Sequence, residues 1–164
     1  MGGANALDMA ALVEVAQTLG WRRTSTYLRT GNLLFEADGR AEEVSAQLRG
    51  AIATELGLDI AVVIRSADEL SALLAAHPFA DGDPARTVIA CCDRPVSVEG
   101  AARLTALLAG NEQVAVLGAD IFAAFPEGQG RSKLALGMAR AVRPAEVTAR
   151  NLSTIRRLIE LAAG

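Results

Sequence analysis

The stretch QVAVLGADIFAAF, residues 113–125, contains two β-type runs joined by a short connection. Val114–Leu117 and Ile121–Phe125 are rich in apolar and β-branched residues, and Gly118-Ala119-Asp120 between them supplies a glycine for a tight turn. The stretch therefore predicts a β-hairpin. Upstream of it, the apolar run Thr87–Cys92 predicts a further strand.

Helical patterns flank this hairpin on both sides. Ser97 can cap a helix whose apolar residues recur at helical spacing as far as Leu108. A second helix is predicted near residues 132–142, with Leu134 facing inward, and a final helix from about residue 151. Strand, helix, hairpin and helix in this order indicate a βαββαβ plait, the ferredoxin-like split βαβ arrangement.

The first half of the chain repeats part of this order. Two β-type runs, Thr24–Thr30 and Leu33–Phe35, flank Gly31-Asn32, a dipeptide that tolerates positive φ and predicts a tight hairpin. The wholly apolar run Ile60–Ile64 predicts a buried strand. Helices are predicted at about residues 8–19, from Val44 up to Gly57, and from Ser66 through Leu74.

The predicted fold is therefore α+β, with two tandem ferredoxin-like halves at residues 1–80 and 85–164. The polar stretch Asp81-Gly82-Asp83-Pro84 marks the predicted boundary. The first half shows no opening strand, which in a plait lies in the middle of the sheet and whose absence would leave strand edges uncovered. We expect the protein to begin further upstream, or a partner chain or a rearranged strand to fill this position.

Composition narrows the class of protein. Hydrophobic residues make up 51% and charged residues 21% of the chain, which is typical of a globular protein. The sequence contains neither an apolar run of the roughly 20 residues that a membrane helix needs nor a signal-peptide pattern, so it predicts a cytoplasmic protein with no membrane partner. The net charge of −3 argues against a nucleic-acid partner, and Trp21 beside Arg22 and Arg23 is only a weak stacking pattern.

Few residues are suited to metal binding or redox chemistry. The adjacent pair Cys91-Cys92 can close no loop and lacks the spacing of a zinc site, so we expect both thiols to be reduced and buried. His77 is the sole histidine, which excludes a multi-histidine metal site, and its segment predicts a turn after a helix rather than part of a Ser-His-Asp triad. The sequence therefore predicts no metal site and no cofactor.

The strongest chemical feature is the segment Gly128–Lys133, centred on Gly130. A glycine loop that runs into a helix N-terminus presents backbone N–H groups and a favourable dipole to an anion, and Arg131 and Lys133 would add positive charge. The alternative is that the glycines only turn the chain while Ser132 caps the helix and the cations lie in solvent. The segment does not match the pattern of a true P-loop.

Three segments, YLRTGNLLF at 27–35, PEGQGRSKL at 126–134 and TARN at 148–151, resemble the bacterial family catalogued as domain of unknown function 1697. Their order and spacing match along essentially the whole chain. The resemblance implies two ferredoxin-like plaits in tandem, and it implies no particular activity, because none is established for the family.

The same segments add candidate ligand contacts at Arg29, Asn32, Arg150 and Asn151, and their joint presence suggests a cleft shared by the two halves. Simpler interpretations exist for each of them. Gly31-Asn32 can be only a hairpin turn, Arg29 only strand surface, and Asn151 only a helix cap.

The chain departs from the family pattern at its start and in two motifs. Family members usually open with an apolar strand that leads into Arg-Gly-Ile-Asn-Val-Gly-Gly, whereas this chain begins Met1-Gly2-Gly3. We therefore expect a start site further upstream that restores a strand and an arginine of the site. Arg29-Thr30 stands where Gln-Ser is usual and Leu152-Ser153 where Trp-Asn is common, which weakens ligand roles carried over to these positions.

The sequence leaves three functions open. The first is binding of a small anionic or phosphorylated ligand by Gly130–Lys133, with Arg150 and Asn151 assisting. The second is an enzyme in which Lys133 acts as a base, nucleophile or phosphate clamp. The third is a structural or assembly protein whose strand edges pair between subunits, as in a homodimer. Whether any reaction is catalysed stays undecided by the sequence.

Overall fold

A computed structural model describes residues 7–29 and 31–164. The chain divides into two compact units, of which the first reaches Ile64 and takes in Glu160–Gly164, and the second spans Arg65–Ile159. The predicted halves, 1–80 and 85–164, concern the repeated sequence pattern and stay a prediction. None of the helices in the described part of the chain is both long and apolar enough to cross a membrane.

The first unit packs two helices against a β-hairpin. Asp8 caps the first helix by accepting a hydrogen bond from the Ala10 N–H at 3.0 Å, and Gly57 ends the second in the left-handed conformation, with φ of 68°. Both termini agree with the sequence prediction. The elements are α1 (Met9–Thr18), β1 (Arg22–Tyr27), β2 (Asn32–Glu36) and α2 (Ala41–Leu56), and Leu12, Val15, Leu48 and Ile52 form their shared core.

The hairpin of the first unit turns at a different place from the one predicted. Tyr27 pairs with Asn32, so Asn32 belongs to the strand β2 and the predicted tight turn at Gly31-Asn32 is wrong. Asn32 is instead buried at the start of β2, where its Nδ2 donates to the Tyr27 carbonyl at 2.8 Å. This side-chain bond links the two strands at their connection, in which Leu28 and Gly31 adopt positive φ.

The run Ile60–Ile64, which we predicted to be a buried strand, lies in neither a helix nor a strand. Ile60 and Val62 pack against the core of the first unit, and the Val62 carbonyl accepts a hydrogen bond from Ser45 Oγ at 3.0 Å. The run therefore contributes to the core of the first unit without being one of its strands. The predicted loss of an opening strand falls on residues 1–6, outside the described residues.

The second unit contains a complete plait. Its strands lie in the order β4-β5-β3-β6, and every neighbouring pair is antiparallel. This order confirms the predicted ferredoxin-like fold for this unit. The elements are α3 (Ala67–Ala76), β3 (Thr87–Cys92), α4 (Val98–Ala106), β4 (Gln113–Leu117), β5 (Asp120–Ala124), α5 (Lys133–Ala141), β6 (Val147–Asn151) and α6 (Leu152–Ala163).

The core of the second unit lies between one face of this sheet and the two helices α4 and α5. Every residue of β3 is buried, so both faces of the sheet are covered at this strand. Cys91 and Cys92 on this strand are free thiols, and burial raises their pKa to about 12 and about 11 respectively. The core residues are Val88, Ala90, Cys92, Leu104, Ile121, Ala123, Phe125, Leu134, Met138, Ala141, Val142 and Ala145.

The strand β6 was not predicted, because the sequence VTARN was interpreted only as the approach to a helix. It pairs with β3 along its whole length, from Cys92 opposite Val147 to Val88 opposite Asn151. The predicted start of the last helix is correct. Asn151 Oδ1 accepts a hydrogen bond from the Thr154 N–H at 2.9 Å, which is the bond of an N-cap.

Candidate functional site

The loop between β5 and α5, residues 125–132, is built from two consecutive turns. The Gly128 N–H donates to the Phe125 carbonyl at 2.8 Å, and the Ser132 N–H donates to the Gln129 carbonyl at 3.1 Å. Gly128 has φ of 90°, a conformation that side chains other than glycine rarely adopt. Its presence is therefore explained by the turn alone.

Gly130, in the same loop, is not explained by its backbone conformation. Its φ lies outside the left-handed range, and a Cβ placed on it would meet no described atom within 4 Å. Neither the backbone conformation nor the packing of the described residues therefore requires a glycine here. The position faces open space beside the start of α5.

The N-terminus of α5 is capped by its own serine. The buried Ser132 accepts a hydrogen bond from the Ala135 N–H at 3.1 Å through its Oγ, as the sequence predicted. The N–H groups of Lys133 and Leu134 have no acceptor within the helix, because both residues lie in its first turn. They provide the positive end of the helix dipole at the end of the loop.

Two exposed cations flank this helix terminus. Among the residues that the structure describes, neither Arg131 nor Lys133 has a carboxylate within ion-pair distance. Glu127, also exposed, adds one negative charge to the loop. Arg86 is bonded to the start of the loop, where its Nη1 donates to the Pro126 carbonyl at 2.6 Å.

Asn151 lies at the same end of the sheet as this loop. Thr87 pairs with Ala124 at the end of β5, and the next residue of β3, Val88, pairs with Asn151 at the end of β6. The side-chain oxygen of Asn151 is occupied by the Thr154 N–H. Its cap role is thus visible, and a part in ligand binding stays a prediction.

Arg150 projects from the sheet face opposite to α5. Val88 belongs to the core beneath α4 and α5, so its neighbour Ile89 points to the other face, and Arg150 pairs with Ile89. The Arg150 Nη1 donates to Thr148 Oγ1 at 2.7 Å and to the Ala149 carbonyl at 2.8 Å, and burial lowers the pKa of the guanidinium. The sheet therefore separates this side chain from α5, which begins at Lys133.

The candidates of the first unit, Arg29 and Asn32, belong to its hairpin. Arg29 is exposed within the connection, whereas the Asn32 amide holds the Tyr27 carbonyl. Their expected role in a shared ligand site stays a prediction.

The one aromatic and two arginines considered for nucleic-acid stacking are engaged within the first unit. The Trp21 ring stacks on Phe35 with centroids 4.3 Å apart. Arg23 Nη1 lies 3.0 Å from Glu36 Oε1, and Arg22 Nη1 lies 3.7 Å from Asp38. These contacts stabilise the hairpin and offer no flat aromatic surface flanked by unpaired cations.

The side chain of His77 is used inside the second unit. Its Nδ1 accepts from the Phe79 N–H at 3.1 Å, so the proton resides on Nε2, which donates to the Val88 carbonyl at 3.0 Å. Burial lowers the pKa of the imidazole. With both ring nitrogens occupied, His77 is a structural residue, and the described residues hold no cluster of three potential metal ligands.

The ion pair of Arg65 and Asp120 is not predicted by any sequence pattern. Arg65 Nη2 lies 2.9 Å from Asp120 Oδ1 and donates to the Cys92 carbonyl at 2.9 Å, and the two charged side chains are only 15% and 17% exposed. The sequence predicts Asp120 as part of the hairpin connection Gly118-Ala119-Asp120, whereas the structure places it at the start of β5. No local pattern connects two residues that are this far apart in the chain.

Comparison with known proteins supports the fold. A family described as protein of unknown function (DUF1697) matches residues 1–122, a segment that ends before the loop at 125–132. The solved structure of a conserved bacterial protein, SP0830 from Streptococcus pneumoniae, is similar over 99% of this chain and 92% of that chain, with a TM-score of 0.74 and 21% sequence identity. This likeness concerns the fold alone. No curated protein matches the chain.

Proposed function

The chain belongs to the DUF1697 family of proteins of unknown function, and we propose that it binds a small anionic ligand, such as a phosphorylated metabolite, at the start of α5. The binding groups would be the backbone N–H groups of Lys133 and Leu134 with the side chains of Arg131 and Lys133. Arg150 is left out of this site because its side chain lies on the other sheet face.

The observation that carries the proposal is the pair of exposed cations beside unbonded helix N–H groups. A helix N-terminus and two positive side chains attract the same kind of ligand, because each contributes positive potential near the start of α5. Cations that stabilise the fold usually contact a carboxylate, as Arg65 does in this unit. Arg131 and Lys133 have no such described partner and remain available for a ligand.

Gly130 gives additional support. A glycine that neither its backbone conformation nor its neighbours require leaves room beside the helix terminus. Close approach of a ligand to the backbone is one of the uses of such a position.

The exposure of Lys133 favours a role as a positive charge over a role as a base or nucleophile. Lysines that act as bases are usually desolvated in an apolar pocket, and this side chain is exposed on the first turn of the helix. Lys133→Arg is therefore expected to keep ligand affinity. Retained affinity with lost turnover would instead identify an enzyme.

The first test is calorimetry and thermal-shift measurement with inorganic phosphate, followed by phosphorylated metabolites. Lys133→Ala and Arg131→Ala should each raise the Kd about tenfold, equal to the loss of roughly 1.4 kcal/mol. Arg140→Ala is the matched control, because Arg140 is an exposed cation in the last turn of the same helix. The proposal fails if no anion binds, or if the control weakens binding as much as Lys133→Ala does.

A further inference from the structure

The strand β4 forms one edge of the four-stranded sheet. The Ala119 carbonyl, just before β5, accepts a hydrogen bond from the Cys92 N–H of β3. The residues of an antiparallel strand bond alternately to its two neighbours, so Ile121 and Ala123 also bond to β3. Asp120, which pairs with Leu117, bonds to β4. Gln113, Ala115 and Leu117 therefore bond to β5, whereas the N–H and C=O groups of Val114 and Val116 point away from the sheet. No described residue bonds to these four outward groups.

This edge lacks the features that normally prevent strand pairing. The five residues QVAVL contain no charge and no proline, and their register with β5 is regular, without a bulge. Exposed edges of soluble proteins are usually protected by such features, because unpaired backbone groups recruit further strands. An unprotected edge is typical of a strand that pairs with another chain.

The helix beside this edge is uncharged on the same side. In α4, Leu104 faces the core, and Arg103 and Leu107 face α5, since Arg103 Nε donates to the Ala141 carbonyl and a Cβ on Gly137 would meet Leu107. With about 100° between successive residues, the opposite flank carries Val98, Ala101 and Thr105.

Large apolar side chains are exposed on both sides of this edge. Val98, at the start of α4, is 84% exposed. Leu117, at the end of β4, is 54% exposed and points to the other sheet face, because Val114 and Val116 pack against the core beneath α4 and α5. Neither β4 nor this flank of α4 carries a charge by which an acidic or basic partner would be recognised.

We propose that β4 pairs with β4 of a second copy of this chain, forming a homodimer with a continuous eight-stranded sheet. A two-fold axis through Ala115 places Val114 opposite Val116 of the second copy, so all four outward backbone groups of each strand find partners. Gln113 then faces Leu117 of the second copy, and Glu112 faces Gly118 of the second copy, so no like charges meet. The uncharged flanks of the two α4 helices come together on one side of the joint.

Ala115 tests the register of this pairing directly. At the axis it faces its own copy in a pair without hydrogen bonds, where Cα atoms are about 4.5 Å apart, within the roughly 4.4–6.8 Å that a disulfide spans. Ala115→Cys is expected to give a disulfide-linked dimer under mild oxidation. The native thiols do not compete, because they are buried and their pKa values are raised. Leu136→Cys, on the 75% exposed position of α5, is the control and should stay unlinked.

Light scattering and native mass spectrometry measure the same dimer without cross-linking. Ala115→Lys opposes two like charges at the axis and should raise the dimer Kd at least about tenfold, whereas Leu136→Lys should leave it unchanged. Circular dichroism checks that each variant is folded. A wild-type chain that is monomeric at micromolar concentration overturns the proposal, and so does a dimer that Ala115→Lys leaves intact and Ala115→Cys does not link.

Discussion

Gly128 and Gly130 stand two residues apart in one loop, and the backbone conformation demands a glycine only at the first. Gly128→Ala should lower the free energy of unfolding by about 1–2 kcal/mol, because φ of 90° is strained for any residue with a Cβ. Gly130→Ala should leave it unchanged or raise it by roughly 0.4–1 kcal/mol by reducing the entropy of the unfolded chain. Urea denaturation of both variants measures the difference.

The same two variants separate stability from binding. Gly130→Ala should weaken phosphate binding even though the fold is intact, because the new methyl group occupies the space beside the helix terminus. Equal destabilisation by both substitutions would mean that the loop itself requires both glycines. Gly130 would then no longer be an argument for the proposed ligand site.

His77 couples stability to pH. Burial lowers the pKa of its imidazole in the folded state below the ordinary value of 6.5, so the unfolded chain takes up a proton first as the pH falls. The contribution of His77 to the free energy of unfolding should thus be constant well above pH 6.5. It should decline as the pH falls below 6.5, until the pH has passed the lower pKa of the folded state.

Urea denaturation between pH 7.5 and 5, at constant ionic strength, measures this decline. Since His77 is the only histidine, His77→Gln should be less stable at neutral pH and should lose most of the decline in that range. An identical slope in the two proteins would show that the imidazole does not titrate differently on folding.

At the scale of single elements, β3 has both neighbouring strands in place and both of its thiols buried. With pKa values raised to about 12 and about 11, Cys91 and Cys92 carry almost no thiolate at neutral pH. A disulfide reagent such as DTNB should therefore react with neither thiol in the native protein and with both in denaturant. Rapid reaction of the native protein would indicate that an edge of the sheet opens.

The pair Arg65 and Asp120 connects the segment before α3 to the start of β5. Arg65→Ala should lower the free energy of unfolding by roughly 2–4 kcal/mol, because it leaves a mostly buried carboxylate without its partner. Arg49 and Asp59 lie at the same N–O distance of 2.9 Å but are 41% and 80% exposed. Arg49→Ala should therefore change stability by less than about 1 kcal/mol. Equal effects of the two substitutions would contradict this account.

The helix starts that are specified by a local cap were predicted correctly. The caps of Asp8, Ser66, Ser97 and Ser132 all accept the expected backbone N–H, because the donor lies two or three residues away. Strands depend on distant neighbours. The polar segment β6 becomes a strand because β3 pairs with it, whereas the apolar run at 60–64 pairs with no described strand and does not become one.

At the scale of the whole molecule, the order of elements was enough to predict the plait of the second unit, although its last strand, β6, was not located in the sequence. The loop before α5 could be found from the sequence because its glycines, cap and cations are adjacent. The face on which Arg150 lies could not be found in this way, because it depends on the register between β6 and β3. The ion pair of Arg65 likewise follows only from the assembled sheet.

The direct passage from β6 into α6 limits how this part of the chain can evolve. Asn151 is the last residue of the strand and the cap of the helix, with no spacer between the two. One inserted or deleted residue would rotate the helix by about 100° and carry Leu152 and Ile155, both buried, toward water. Natural homologues should therefore keep a constant length across the junction at 151–152.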